Sequence, residues 1–437
     1  MEYQPRMVPR GKKRLKWRVL IPSFILFILL GYILFNALFP KQLNVMETGL
    51  TICDYSYTQT QTTLHAKQYT DVLEVRDHLY YGETLNLFNS TYDHTTADYF
   101  IGKTMRLRNV CDDNEWVYML GRNADEQIPL ENLPNGFYEI FIVDNLVEKR
   151  LVSENELYDY FYTVRRNGSS KRIDLIGDQD LVQGREENSS ILNDHYLFIQ
   201  VTDADPIETE AIYDVFIDPA HNTTRWNVTD RGRTVDDLVE ADVLFRIAEA
   251  LKTKLESEGL KVMLSRASMD ATINQYGVDG RLYKAYQSKA KHFLELNLNF
   301  TTNKDIRGSR VIYSSYSSNR FATAIFKSFM NTPGLVPYGR KTTSNIAGVV
   351  AANRYQGLDA YPSIREAGGR ILVAGTISDL AIEQNSSFNK EERKGMQSLS
   401  LELFFISNSL DTAVYRTQFD AMVDNISEGY LRAIGTE

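Results

Sequence analysis

The pattern of hydrophobic and polar positions changes character near residue 210. Between residues 65 and 205, short segments rich in Tyr, Phe, Val and Ile alternate apolar with polar residues and are separated by turn residues. Such alternation is typical of half-buried antiparallel strands. We therefore predict an all-β, sandwich-like domain over residues 65–205, with strands at 71–77, 84–88, 103–110, 115–120, 136–144, 158–166, 171–178 and 195–203.

This β-sandwich-like domain shows no cluster of residues with catalytic chemistry. It is therefore interpreted as a spacer, or as a module that binds carbohydrate or protein. If it is only a spacer, its removal should leave the rest of the chain folded.

After residue 210, strand periods alternate with helix periods. Predicted strands cover residues 213–218, 261–266, 292–300, 309–315 and 399–407, and predicted helices cover residues 236–259, 281–291, 319–331 and 412–433. Alternation of this kind indicates an α/β domain with a mostly parallel sheet and helices on both faces. The long irregular stretch 332–398 is of the kind that often carries function.

The N-terminal segment predicts a membrane anchor. Residues 19–39 contain no charged side chain, and residues 1–18 carry seven Lys and Arg side chains against one Glu. Twenty-one residues at about 1.5 Å each span a hydrocarbon core of about 30 Å, and the basic tail places the N-terminus in the cytoplasm. A cleaved signal peptide is the alternative, but the apolar run ends in Phe39-Pro40 instead of small residues. Residues 41–64 then form a stalk, and the following domains are extracytoplasmic.

Charge and cysteine content narrow the possible partners. The formal net charge is −9, and because residues 1–18 contribute +6, the remainder carries about −15. Such an acidic ectodomain argues against a nucleic-acid partner. Cys53 and Cys111 are the only cysteines. Outside the cytoplasm they could form one disulfide or remain two free thiols.

Polar residues with ligand or acid–base chemistry lie near the ends of the predicted α/β strands. They are Asp218, His221, Glu240, Glu295, Asn297, Asn299 and Glu402. Ligands of open α/β sheets bind beyond the carboxyl ends of the strands, and His with Glu can build a metal site. Taken singly, Asp218 could be a turn residue, and Glu240 could be an acid at the N-terminus of a helix. Glu402 lies inside an apolar strand, where an unpaired carboxylate is costly.

Four segments carry a family resemblance: VFIDPAH, VEADVLFRIAEALKTKLESEGLKVMLSR, RLYKAYQSKAKHFLELNLNF and SLSLELFFISN. In this order they resemble the zinc-dependent N-acetylmuramoyl-L-alanine amidases of the cell wall, over about residues 213–433. For residues 210–437 the resemblance implies a mixed six-stranded sheet with helices on both faces. It also implies bound Zn²⁺ and cleavage of the amide between muramic acid and L-alanine in peptidoglycan.

The resemblance assigns roles to particular residues. His221 and Glu240 match two zinc ligands, and Glu402 matches the catalytic glutamate. Asn297 stands where the family has its third ligand, a histidine, and an amide is a weaker zinc ligand than imidazole. Glu295, two residues away on the same strand face, is a possible substitute ligand.

Other positions are retained or altered. Asn299 matches a retained asparagine and is assigned to substrate binding, and Arg266 and Arg281 match framework positions. Ala220 and Phe404 replace two glycines of the family pattern.

Arg365, in the segment PSIREAGGR, is an additional candidate for substrate contact. The alternative interpretation of this segment is a surface turn without a functional role.

Two functions remain open on the sequence. One is a membrane-anchored amidase that hydrolyses bacterial peptidoglycan with zinc. The other is a catalytically degenerate amidase that binds peptidoglycan or a partner without cleaving it. Both place the protein in the plasma membrane as a single-pass protein, with its C-terminal domains facing the wall.

Overall fold

The computed structural model describes residues 69–91, 97–153, 157–163, 170–177, 195–204, 213–225, 228–275, 280–339, 346–355, 358–361, 363–364 and 394–435. The predicted tail, anchor and stalk, together with Cys53 and Arg365, lie outside these ranges. Among the described helices, none has the length and apolar character needed to cross a bilayer. All described residues belong to one compact unit, Gln68–Glu437.

Twelve strands form the described residues of the first part of this unit, hereafter the β region. They are β1 (Val72–Val75), β2 (Asp77–Tyr81), β3 (Thr84–Phe88), β4 (Thr104–Asn109), β5 (Glu115–Met119), β6 (Ile128–Pro129), β7 (Gly136–Asp144), β8 (Val147–Ser153), β9 (Leu157–Tyr162), β10 (Ser170–Gly177), β11 (His195–Tyr196) and β12 (Phe198–Ala204). The predicted strands are therefore confirmed, although two of them are each divided in two.

The β region contains two sheets that share a hydrophobic core. The larger sheet has the order β1-β8-β7-β12-β10-β9, with β4, β5 and β11 beside this path. The smaller sheet contains β2, β3 and β6. Alternate residues of both sheets, such as Leu85, Leu107, Ile140 and Leu175, are fully buried in one cluster, as period-two patterning requires. The sandwich architecture itself stays a prediction.

The second part, hereafter the α/β region, contains thirteen strands and five helices among its described residues. The strands are β13 (Val215–Pro219), β14 (Thr223–Arg225), β15 (Val228–Asp230), β16 (Thr234–Val235), β17 (Leu238–Val239), β18 (Val262–Leu264), β19 (His292–Asn299), β20 (Arg310–Tyr313), β21 (Val349–Ala351), β22 (Arg354–Tyr355), β23 (Leu358–Asp359), β24 (Lys394–Gly395) and β25 (Gln397–Phe405). The helices are α1 (Glu240–Ser257), α2 (Arg281–Gln287), α3 (Arg320–Phe329), α4 (Ser409–Thr417) and α5 (Phe419–Ile434).

A six-stranded sheet organises the α/β region, in the order β18-β13-β19-β25-β20-β21. All neighbouring pairs are parallel except β20 with β25, so the predicted mixed sheet is confirmed. Helices α1, α3 and α5 pack on one face against residues such as Ile217, Leu296 and Leu401. Helix α2 packs on the other face against Phe216 and Phe293.

Three predicted helices differ from the structure, and one of them, predicted over residues 281–291, ends at Gln287. The helix predicted from residue 236 begins at Glu240, because residues 234–239 form the β16–β17 hairpin with Asp236 at φ +52°. The apolar Leu238 and Val239 fit a helical period as well as a strand. The final helix is divided into α4 and α5 at Gln418, whose φ is −124°.

The two regions are joined by a strand pair and by Asp125. Strand β2 pairs in parallel with β24 from the far end of the chain. The Asp125 carboxylate accepts hydrogen bonds from Ser318 N (2.6 Å) and Oγ (2.7 Å), and from Gln397 Nε2 (3.3 Å). Arg320 Nη2 donates to the Asp125 carbonyl at 2.7 Å. Since Gln397 begins the strand that carries Glu402, the β region contacts the framework of the candidate site.

Replacing Asp125 tests this connection. We expect Asp125→Ala to lower the free energy of unfolding by about 1–3 kcal/mol, because Ser318 N and Oγ lose a charged acceptor. Chemical denaturation of the full chain measures the change. Asp305→Ala, at an exposed position, is the control and should change stability by less than about 0.5 kcal/mol. Equal stability of the two variants would contradict the connection.

His292 is buried on the helix-covered face of β19. Its ring stacks on Phe321, with centroids 4.7 Å apart, and Nδ1 lies 2.9 Å from Tyr430 Oη. The pKa of His292 is lowered to about 3, mainly because the ring is buried and secondly because of the charge of Lys291. The histidine is therefore neutral in the folded protein at neutral pH.

This lowered pKa predicts a pH-dependent stability. An unfolded histidine has a pKa of about 6.5, so between pH 6.5 and 3 the unfolded chain binds a proton that the folded chain does not. The contribution of His292 to stability is complete above pH 6.5 and is lost as pH falls, by at most about 1.4 kcal/mol per pH unit. His292→Asn should give a shallower dependence between pH 6 and pH 4 in denaturant titrations. Phe321→Leu, which keeps the imidazole, should retain the native slope, and parallel slopes for all three proteins would contradict the assignment.

Candidate active site

Three adjacent parallel strands place polar residues on one face of the six-stranded sheet, near the carboxyl ends of the strands. On β19, Leu294, Leu296 and Leu298 are buried in the helix-side core, so Glu295, Asn297 and Asn299 point to the opposite face. In the register of the sheet, Glu295 lies opposite Asp218 of β13 and Ser400 of β25, and Asn297 lies opposite Glu402. The strand predicted over residues 292–300, with Glu295 and Asn297 on one face, is thus confirmed, and this polar face lines a candidate site.

His221 and Glu240 meet beyond the end of β13. His221 Nε2 lies 3.4 Å from Glu240 Oε1, and His221 Nδ1 lies 3.4 Å from Asp230 Oδ2. Burial lowers the pKa of His221, but the two carboxylates outweigh it and the pKa is raised above its usual value. Asp230 was not among the residues predicted from the sequence.

The backbone around His221 is held in an unusual conformation. His221 and Asn222 both have positive φ angles, of 68° and 52°, which non-glycine residues adopt at a cost. Arg281 Nη1 donates to the buried Asp218 carboxylate at 3.0 Å, and its Nη2 donates to the His221 carbonyl at 2.8 Å. This buried arginine therefore stabilises the turn that presents the imidazole.

Gly232 allows Glu240 to approach the loop beside it. A Cβ at Gly232 would lie 2.5 Å from Glu240 Oε2, closer than atoms can pack, and Arg233 N donates to the same oxygen at 2.8 Å. Glu240 begins α1, where the helix dipole also favours a negative charge. The carboxylate is thereby fixed toward His221.

Asn297 makes contacts of its own. Its Nδ2 donates to Tyr361 Oη at 3.3 Å, and its Oδ1 accepts from Leu298 N at 2.9 Å. Tyr361 Oη in turn lies 3.2 Å from Ser400 Oγ. The amide oxygen that could face a metal is thus already an acceptor for the backbone.

Glu402 is paired on both of its oxygens. Arg310, on the antiparallel neighbour β20, donates through Nη2 to Oε1 at 2.8 Å and through Nε to Oε2. Asn299 Nδ2 donates to Oε2 at 2.5 Å. Such a bidentate charged contact is among the strongest that a carboxylate makes. The residue that matches the catalytic glutamate is therefore neutralised by an arginine that sequence reasoning did not select.

Glu295 is buried beside these groups. Its Oε1 accepts from Ser363 Oγ at 2.5 Å, and among the described residues Oε2 has no hydrogen-bond partner. Burial, followed by the nearby charge of Asp218, raises the pKa of Glu295, and the Ser363 hydrogen bond offsets this only in part. Glu295 thus faces Ser363, while the structure shows no contact between it and the His221–Glu240 pair.

The residues described at this site do not fit a zinc centre. No group of three His, Cys, Asp or Glu side chains within the described ranges could hold a metal ion. His221 and Glu240 supply two suitable donors, but Asn297 offers a neutral oxygen that already accepts a hydrogen bond. Zinc prefers Cys, His and carboxylate ligands. The sequence prediction of a site built from His221, Glu240 and Asn297, with Glu295 as substitute, accordingly stays a prediction.

The remaining predicted residues have separate outcomes. Asn299 is partly exposed and its Nδ2 donates to Glu402 Oε2. Arg266 is buried and donates to the carbonyls of Met269 and Ala241, a framework role. Cys111 is disulfide-bonded, and Cys53, the only other cysteine, is not described.

Comparisons with known proteins identify the family that the α/β region matches. A model of the N-acetylmuramoyl-L-alanine amidase family matches residues 215–435. A search of the curated proteins found no match. Among solved structures, the catalytic domain of the amidase CwlV from Bacillus (Paenibacillus) polymyxa var. colistinus is 17% identical, with 49% of this chain and 94% of that chain covered and a TM-score of 0.33.

Two further solved structures give similar values. The amidase AmiC2 of Nostoc punctiforme is 19% identical, covering 51% of this chain and 97% of its own, with a TM-score of 0.34. The amidase Ami1 from Mycobacterium smegmatis is 17% identical, and the match covers 51% of this chain and 97% of that chain with a TM-score of 0.36.

The Arg310–Glu402 contact can be tested by a double-mutant cycle. Arg310→Ala leaves the buried Glu402 carboxylate without its cationic partner, so we expect a loss of about 1–3 kcal/mol in unfolding free energy. Adding Glu402→Gln removes the unpaired charge and should recover part of that loss. Denaturation in urea measures all four proteins. The exposed pair Arg416–Asp237 is the control, since Arg416→Ala should cost less than about 1 kcal/mol. Additive effects of the Arg310 and Glu402 substitutions would contradict a direct contact.

Proposed function

We propose, for a chain that belongs to the N-acetylmuramoyl-L-alanine amidase family, that the α/β region recognises peptidoglycan at the muramoyl–L-alanine linkage without hydrolysing it. The family acts on peptidoglycan, which identifies the polymer. The observation that carries the proposal is the pairing of Glu402 with Arg310 and Asn299. A general base must be free to take a proton from water, whereas this carboxylate has both oxygens engaged.

The third ligand position supports the same conclusion. Asn297 donates to Tyr361 and accepts from Leu298, so the amide is committed to neighbours within the protein. Zn²⁺, which the family resemblance implies, would there meet a weaker donor than imidazole. The altered ligand position therefore favours recognition of the polymer over its cleavage.

The edge of the site offers a surface for recognition. Phe300, directly after β19, is 43% exposed, and the Arg233 guanidinium lies 4.8 Å from its ring centroid. An exposed aromatic ring beside a cation can contact both the apolar and the carboxylate parts of a peptide. We assign these two side chains to contacts with the peptide stem of the polymer.

Hydrolysis is the second candidate function. It is favoured by the His221–Glu240 pair, whose atoms lie 3.4 Å apart at the position of two zinc ligands in the family pattern. In that case Zn²⁺ would supply a polarised carbonyl and an activated water. The membrane anchor predicted over residues 19–39 would hold either kind of protein at the bacterial plasma membrane, facing the wall.

Incubation of the purified full chain with peptidoglycan and added zinc separates the two functions. We expect binding to the polymer, no release of peptides with a new N-terminal L-alanine, and less than one zinc per chain by elemental analysis. Phe300→Ala should weaken binding of a soluble muramoyl dipeptide by about tenfold. Asn297→His, which restores an imidazole at the third ligand position, should raise the zinc content toward one per chain. Peptide release by the native chain that is lost in Glu402→Gln would establish hydrolysis instead.

A further inference from the structure

An exposed row of tyrosines lies on the β region, away from the candidate active site. Strand β9 is the last strand in the order of the larger sheet and pairs with β10. Phe161 of β9 is buried in the core, so Tyr158, Tyr160 and Tyr162 project from the opposite face. Tyr158 is 43% exposed and Tyr160 is 41% exposed. We call these three residues the tyrosine strip.

Polar neighbours hold the rings of the strip in place. Tyr158 Oη donates to Asp174 Oδ1 at 2.7 Å and accepts from Arg172 Nη2 at 2.5 Å. The Arg172 guanidinium also lies 4.9 Å from the Tyr160 ring centroid. The ring centroids of Tyr158 and Tyr160 are 6.4 Å apart, and those of Tyr160 and Tyr162 are 5.8 Å apart. The rings therefore form an ordered row in which the Tyr158 hydroxyl is fixed, and such order lowers the entropy cost of binding.

Charge at the strip indicates an uncharged ligand. Arg172 and Asp174 neutralise each other in an ion pair of 2.8 Å. An anionic polymer or lipid surface needs an excess of cations, which these described neighbours do not provide. Tyrosine rings present a rigid apolar surface with a polar tip, which suits the apolar faces and hydroxyl groups of sugar rings.

We infer that the tyrosine strip binds the glycan strand of peptidoglycan, a neutral linear polymer of N-acetylated sugar rings. The rings of Tyr158 and Tyr160 stack against the apolar faces of successive sugars, and Arg172 donates to hydroxyl or acetamido oxygens. The choice of polymer rests on the proposed function of the α/β region. The binding surface itself rests on the exposure, order and neutrality of the strip.

The strip is rigidly connected to the α/β region. Asp159, between the first two tyrosines, places Oδ2 3.1 Å from His78 Nε2, and Tyr80 Oη donates to the Tyr162 carbonyl at 3.0 Å. Both His78 and Tyr80 belong to β2, which pairs with β24. A glycan bound at the strip is thus held beside a domain that takes the peptide-bearing part of the same polymer.

Binding of the full chain to chitin tests the strip, because chitin is an uncharged polymer of N-acetylglucosamine without peptide. We expect the native chain to cosediment with chitin, and Tyr158→Ala/Tyr160→Ala to bind about tenfold more weakly. Tyr99→Ala is the matched control, since Tyr99 is also an exposed tyrosine of the β region (48%) and should bind as the native chain does. Thermal unfolding verifies folding, and Tyr160→Ala alone, with a smaller loss of affinity, replaces the double variant if that variant is unfolded.

The outcomes separate this inference from the proposed function. Loss of chitin binding in the strip variant, with unchanged binding of the muramoyl dipeptide, supports the strip whether or not Phe300 contacts the dipeptide. A native chain that binds no dipeptide but still binds chitin through the strip overturns the proposed function alone. A folded strip variant that retains native affinity for chitin, or a native chain that does not bind chitin, overturns the inference.

Discussion

The alternation of side chains along β19 is the constraint on which the α/β region depends. The leucines at 294, 296 and 298 enter the core beneath α1, α3 and α5, while the polar residues between them face the candidate site. A shift of one residue would place carboxamides in the core and leucines in the site. Because β19 lies between two parallel neighbours, the same register also positions the residues that β13 and β25 contribute.

Compensation of buried charge then determines the chemistry at this edge. Asp218 is paired with Arg281, and Glu402 is paired with Arg310, because an ionised carboxylate is tolerated inside a protein only with a partner. Glu295 makes no ion pair among the described residues, and burial together with the nearby charge of Asp218 raises its pKa. Two acids of this site, Asp218 and Glu402, are thus satisfied by the protein's own arginines, which suits a site that holds a ligand.

Local sequence patterns predicted the helices and strands of the fold. They could not predict the pairings between segments that are distant along the chain. The period of two in β19 and the three- and four-residue steps of α1 both follow from neighbouring residues, and so does the position of His221 after a strand. The β16–β17 hairpin was missed because Leu238 and Val239 suit two periods. Arg310 was missed because its importance arises from the antiparallel pairing of β20 with β25, and nothing local to SRVIYSS indicates that partner.

The contacts between the two regions affect how the function of the β region is interpreted. Asp125 bonds Ser318 and Gln397, and β2 pairs with β24, so these contacts resist movement of one region against the other. Two weak contacts to one polymer gain affinity when their separation is fixed, because the second contact becomes intramolecular and proceeds at a high effective concentration. A flexible spacer would forfeit much of that gain. The contacts between the regions, a tyrosine strip in which Arg172 and Asp174 are paired, and a Glu402 carboxylate held by Arg310 therefore favour a protein that holds the polymer over one that cuts it.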